Sequence, residues 1–270
     1  MMVNLLKLPI SNGQPFSGVK HGYTNILKYL KFKNWSSEYT IHFSNKHHHK
    51  NTIYMKYINE TKNVRSSQLG KSLILGGDHS TSIPTIVSSI DLYPESKILW
   101  IDAHADINIP SSSPSGNMHG MMLGLLTGHF DKEHPLSKYK CIDTNQIAYI
   151  GLRDLDPYEQ DFLDKHNIKY FTSNDVINDT TNVLEKINTW LNNDKVHVSF
   201  DIDVVDPEIV IGTGTPVKNG LNKLHVSQII DLIKNNNWHT FEIVEVNPEL
   251  DKNNQTSIYA ANIIDQLLEK

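Results

Sequence analysis

At 270 residues, with 39% hydrophobic and 20% charged side chains, the chain has the composition of a globular protein with a sizeable core. A net charge of −5 without any basic cluster argues against nucleic acid as a partner, and no apolar run approaches the length of a membrane span. Cys141 is the only cysteine, which excludes an internal disulfide and any thiolate metal site. With an N-terminus that lacks the long apolar core of a signal peptide, this points to a cytoplasmic protein.

No repeat or long linker divides the sequence, so residues 1–270 read as a single domain. Residues 39–67 are the least legible. Their HHHK tract (47–50) reads as solvated loop, since adjacent histidines cannot all face one ion on a regular element. Beyond it, KSLIL (71–75) predicts a strand, followed by GGDHS and a helix from Thr81 to Ile90. KILWI (97–101) and QIAYI (146–150) predict two further strands, and TNVLEKINTWL (181–191) a helix. VHVSF (196–200), the helical HVSQIIDLIK (225–234), FEIVEV (241–246) and a closing helix over 258–268 complete the series. Short apolar strands alternating with helices predict βαβ units and a mostly parallel sheet, an α/β fold. In such sheets ligands bind beyond the carboxyl ends of the strands.

Those ends carry the ionisable residues. His79 lies in GGDHS after the first strand, and Asp102, His104 and Asp106 lie in DAHAD after the second. Asp201 and Asp203 lie in SFDIDVVDP after VHVSF. Singly, each has a plainer reading: Asp78 as a helix cap with His79 incidental, DxD as a frequent pattern. Three ionisable groups at strict alternation, however, share one strand face and repel unless something positive lies between them. Two histidines and four aspartates are too anionic for one ion and suit a pair of divalent cations bridged by carboxylates. Imidazole with hard oxygen ligands favours Mn²⁺.

These motifs, together with SGNMHG (115–120), GLRDLDPYE (151–159), GTGTPV (212–217), EVNP (245–248) and the opening LPISNGQPFSGVKHG (8–22), resemble the ureohydrolases in order and spacing, and among them most closely the arginases. The resemblance covers nearly the whole chain. It implies a three-layer α/β/α fold and two Mn²⁺ per subunit. One would be held by His79, Asp102, Asp106 and Asp201, the other by His104, Asp102, Asp201 and Asp203. It further implies a homo-oligomer, trimer or hexamer.

The implied reaction is hydrolysis of L-arginine to L-ornithine and urea by a hydroxide held between the ions. Asp106 would orient that hydroxide, His119 would shuttle the proton to the leaving amine, and Glu245 would bind the guanidinium. By the same resemblance, Asn108 and Ser115 would contact the α-carboxylate, Asp156 the α-amine, and Glu159 would assist through water. Asn117 and Thr215 complete the implied substrate-binding set. Agmatine hydrolases generally lack the SGN before their HG, so Ser115-Gly116-Asn117 favours arginine over agmatine. A regulatory protein without turnover would be expected to have lost ligands, and all are present.

Overall fold

The computed structural model describes residues 2–43 and 50–269. His47–His49 therefore lie outside the described residues. Eight strands form one parallel sheet: β1 (Val3–Leu8), β2 (Ser37–Thr40), β3 (Lys71–Gly76), β4 (Lys97–Ile101), β5 (Ile147–Leu152), β6 (Lys169–Thr172), β7 (Val196–Asp201) and β8 (Trp238–Val244). Their spatial order is β2-β1-β3-β8-β7-β4-β5-β6. Helices cover both faces, which is why the central strands read as nearly continuous apolar runs. The three-layer expectation is met.

One layer packs α1 (Gly22–Tyr29), α6 (Ser173–Asn178), α7 (Thr180–Leu191), α8 (Lys223–Lys234) and α9 (Gln255–Leu268) against Leu73, Leu99, Ala148, Val198 and Phe241. The other packs α2 (Lys50–Ser66), α3 (Ser82–Leu92), α4 (Met122–Leu126) and α5 (Pro157–Lys165) against Leu6, Ile74, Trp100 and Tyr149. Local signals agree with these elements. In α7, Val183, Ile187 and Leu191 recur at helical spacing and are buried, Asp179 caps Asn182 N at 3.1 Å, and Asn192 closes the helix at φ +49°.

Several expectations need correction. Residues 50–66 are a helix, which the sequence pattern did not reveal, because its polar residues obscure the buried stripe of Ile53, Tyr54, Tyr57 and Ile58. Strands β1, β2 and β6 were not anticipated either. The strand read as FEIVEV starts earlier, at Trp238, and ends at Val244, because Glu245 turns to φ +64°. No helix among the described residues is long and apolar enough to cross a membrane.

Two glycines bring the strand ends together. A Cβ on Gly77 would fall 1.8 Å from the Ile10 carbonyl oxygen, and Gly77 accepts Glu245 N at 2.8 Å. Gly151, at φ +100°, breaks the β5–β6 register, and a Cβ there would meet Val204 Cγ2 at 2.3 Å. The chain after this bulge is thereby laid against the DAHAD loop, where Arg153 N and Asp154 N both donate to Ala103 O.

Candidate metal centre and substrate cavity

The carboxyl ends of β3, β8, β7, β4 and β5, adjacent in that order, carry the ionisable residues. After β3, Asp78 caps the next turn at Ser80 N (2.9 Å) and accepts Gly13 N at 2.7 Å, which leaves His79 directed inward. Asp78 is thus the cap, and the same turn points His79 at the aspartates. After β4, Asp102 accepts His104 N at 2.7 Å on one oxygen and the Trp100 indole N–H at 3.0 Å on the other. At the end of β7, Asp201 accepts Asp203 N at 2.8 Å. Asp203 in turn accepts Thr215 Oγ1 at 3.0 Å and Ala103 N at 3.3 Å.

His79 Nδ1 lies 3.0 Å from one carboxylate oxygen each of Asp102, Asp106 and Asp201, without hydrogen-bond geometry to any of them. Ligand atoms of His79, Asp102 and Asp201 also lie within 4.8 Å of one another, a spacing that would admit a shared cation. Adjacent ligands of an octahedral cation about 2.1 Å from each would lie about 3.0 Å apart. A second cluster joins His104 Nδ1 to Asp203 (3.2 Å) and Asp102 (3.4 Å). His79–Asp102–Asp201 and Asp102–His104–Asp203 are each close enough to hold an ion, and they share Asp102. The donor set of imidazole and carboxylate, with no thiolate, fits a pair of hard or borderline divalent cations.

Electrostatics points the same way. Burial, then the charges of Asp203 and Asp102, push the Asp201 carboxyl well above its usual range. Burial and the charge of Asp102 push Asp106 up to about 6. Carboxylates held this close without a cation retain protons instead. Asp106 sits at φ +52°, a region that side chains with a Cβ rarely adopt, so local backbone preference is overridden where this carboxylate is placed.

A cavity of about 140 Å³ opens on these clusters, with His104, Asp106 and Asp201 facing it. Asn108, Ser115, His119, Asp156, Glu159 and Thr215, singled out in the sequence, also line it, as does Ser113, which was not. Asn117 is not part of this lining; its N–H donates to Ser115 Oγ at 3.2 Å. Asn108 Nδ2 donates to Asp156 Oδ2 at 2.8 Å, and buried Glu159 accepts Ile107 N and Asp156 N, both at 3.1 Å. Burial and nearby Asp106 push Glu159 up to about 8.

Glu245 is buried and accepts His79 N at 2.8 Å, Gln14 Nε2, and His119 Nδ1 at 3.2 Å. Burial opposes the charge on His119, but Glu245, Asp106 and Asp78 outweigh it and raise its pKa to about 9. Gln14 and Arg153, to which the sequence gave no role although both lie in motifs that carry the resemblance, contact the site residues. Arg153 binds the carbonyls of Asp203 (2.6 Å) and Val217 (2.9 Å), which anchors the loop bearing Asp203 and Thr215.

Residues 3–269 match the model of the family described as Arginase family. The chain belongs to the arginase family. An arginase from Staphylococcus aureus (strain COL) is 39% identical over 199 residues, which span 71% of this chain and 65% of that protein. An arginase from Plasmodium berghei is 33% identical over 299 residues, spanning 94% of this chain and 84% of its relative. The crystal structure of Entamoeba histolytica arginase in complex with L-ornithine superposes with a TM-score of 0.91 at 28% identity, covering all of both chains. Membership in the arginase family establishes the fold and a hydrolase lineage.

Proposed function

We propose that this chain is a two-manganese hydrolase of guanidino substrates that converts L-arginine to L-ornithine and urea. The observation that carries the reading is Asp102 shared between two histidine–carboxylate clusters at the floor of a polar cavity. His79, Asp102, Asp106 and Asp201 would hold one Mn²⁺, and His104, Asp102, Asp201 and Asp203 the other. Bound there, the cations would supply a water acidic enough to give hydroxide near neutral pH.

The protein's own groups account for the remainder. The attacking oxygen would be oriented by Asp106, whose backbone lies in the left-handed region. Glu245, fixed by His79 N and Gln14, would accept the guanidinium N–H groups and bring the central carbon over the clusters. Collapse of the tetrahedral adduct requires a proton on the departing amine, and His119 would deliver it. Its protonated state is favoured by the carboxylates around it. Asn108, Ser115 and Ser113 offer hydroxyl and amide groups to an α-carboxylate, and Asp156 a charge opposite the α-ammonium. The L-ornithine in the Entamoeba histolytica relative supports a ligand of this class.

The test is urea release from purified, Mn²⁺-loaded protein given L-arginine and agmatine separately. Urea from arginine with little from agmatine is the expected result. Urea mainly from agmatine would overturn the substrate, and none from either would overturn the activity.

A further inference from the structure

The centre of the sheet contains a second, fully buried polar cluster behind the metal site. Towards α3, strands β7 and β8 present His197, Ser199, Thr240 and Glu242, where β4 and β5 present Ile98, Trp100, Ile147 and Tyr149. α3 meets them with Ser82, Thr85, Ser88 and Ser89, and α2 adds Arg65. Glu242 Oε1 accepts Ser82 Oγ at 2.5 Å, and Oε2 accepts Thr85 Oγ1 at 2.6 Å. His197 Nε2 lies 3.2 Å from Oε1 without hydrogen-bond geometry. Arg65 bonds the Thr85 carbonyl (2.9 Å), Ser88 Oγ (2.7 Å), Ser89 Oγ (2.8 Å) and Thr240 Oγ1. A buried ion layer of this kind is seldom more stable than the aliphatic packing that could replace it. Its connection to the site gives it a use.

Ser199 Oγ lies 2.8 Å from His79 Nε2 and 3.2 Å from Ser82 Oγ. The polarity of this line is forced by counting protons. A carboxylate only accepts, so the single proton of Ser82 goes to Glu242. Ser82 must then accept from Ser199, whose own proton is thereby used, and Ser199 must accept from His79. The proton of a neutral His79 therefore lies on Nε2, and the lone pair is left on Nδ1, the atom that faces Asp102, Asp106 and Asp201.

Resting on the metal reading above, we propose that Glu242 is a positioning residue of the metal centre, fixing through Ser82 and Ser199 the tautomer in which His79 binds a cation. Hydrogen bonds from the Ser82 and Thr85 hydroxyls hold Glu242 as an acceptor. This extends the usual carboxylate–histidine–metal arrangement by two hydroxyls. Among the described residues, Ser82 is the only side chain linking Glu242 to Ser199, whereas Thr85 occupies the other carboxylate oxygen and leads away from the site.

That difference supplies the test. Ser82→Ala and Thr85→Val each remove one buried hydroxyl from Glu242. Mn²⁺ binding is measured by the free-ion electron paramagnetic resonance signal, with melting in chelator as the measure of folding. Ser82→Ala is expected to weaken the tighter Mn²⁺ site about 10- to 100-fold. Thr85→Val is expected to melt lower yet bind within about threefold of the wild type. Glu242→Gln, where it folds, follows Ser82→Ala. Equal Mn²⁺ affinity in Ser82→Ala and wild type overturns the proposal, as does an equal loss in both variants, which marks a purely structural layer. A wild-type chain that binds no Mn²⁺ overturns the metal reading itself, and this proposal with it.

Discussion

The indole of Trp100 lies flat against the imidazole of His79, ring centroids 4.1 Å apart and planes within 4° of parallel, while its N–H donates to Asp102 at 3.0 Å. One side chain thus orients two candidate ligands, one past β3 and one past β4. Trp100→Phe keeps the stacking surface and removes the hydrogen bond to the shared carboxylate. We expect a folded protein with Mn²⁺ affinity lowered about tenfold, measured by competition with a chelating dye. Unchanged affinity would mean that the indole only packs.

Asp106→Asn tests the carboxylate repulsion directly. Asp106 is pushed up to about 6, above its unfolded value, so its stabilising protonated form is lost as pH rises through that range. At pH 7 in chelator the variant should therefore melt above the wild type, aided by the tolerance of asparagine for φ near +52°. With Mn²⁺ its turnover should collapse. A lower melting point in chelator would contradict the repulsion.

Substitution of His119 by asparagine separates proton delivery from metal binding. The turnover number should fall about 10²- to 10⁴-fold. Mn²⁺ affinity should stay near wild type, because the imidazole faces Glu245 rather than the ligand clusters. An unchanged turnover number would remove His119 from the mechanism.

Asp156→Asn addresses substrate recognition. Asparagine caps α5 as well as aspartate does, so the helix should survive while the charge opposite the α-ammonium is lost. Loss of one charged hydrogen bond predicts KM for L-arginine about 10- to 100-fold higher with kcat little changed, read from steady-state urea release. A fall in kcat at constant KM would place Asp156 elsewhere in the reaction.

His239 is buried against Ser96 (3.0 Å) and Thr240 (2.9 Å), and burial, then the charges of His197 and Arg65, hold its pKa down to about 2. Below pH 6.5 the unfolded chain takes up a proton that the folded chain refuses, so stability falls as pH drops through that window. Relative to His239→Gln, the wild type should lose about 2 kcal/mol between pH 7 and pH 5, measured by urea denaturation in chelator. Parallel stability profiles for the two proteins would show His239 protonated in the native state.

The sequence by itself determined where the chemistry lies. DAHAD and DID gather carboxylates at the ends of apolar strands, where no packing role calls for them, so a candidate cation site was legible before any fold was known. It also determined the alternation of β3, β4, β5, β7 and β8 with helices, because strands buried on both faces are predominantly apolar. Which strands neighbour which was decided only in three dimensions. β8 inserts between β3 and β7, and this brings Glu245 to His79 and Gln14 across 166 and 231 residues of sequence. The polar face of β7 was equally hidden. VHVSF reads as a strand without revealing what His197 and Ser199 face, and α3 covers them with serines and threonines of its own. Local pattern reports whether a position is polar, but whether that polarity meets solvent or a buried partner depends on what packs against it. Tertiary contact alone turned His197, Ser199 and Glu242 into the interior behind the candidate metal ligands.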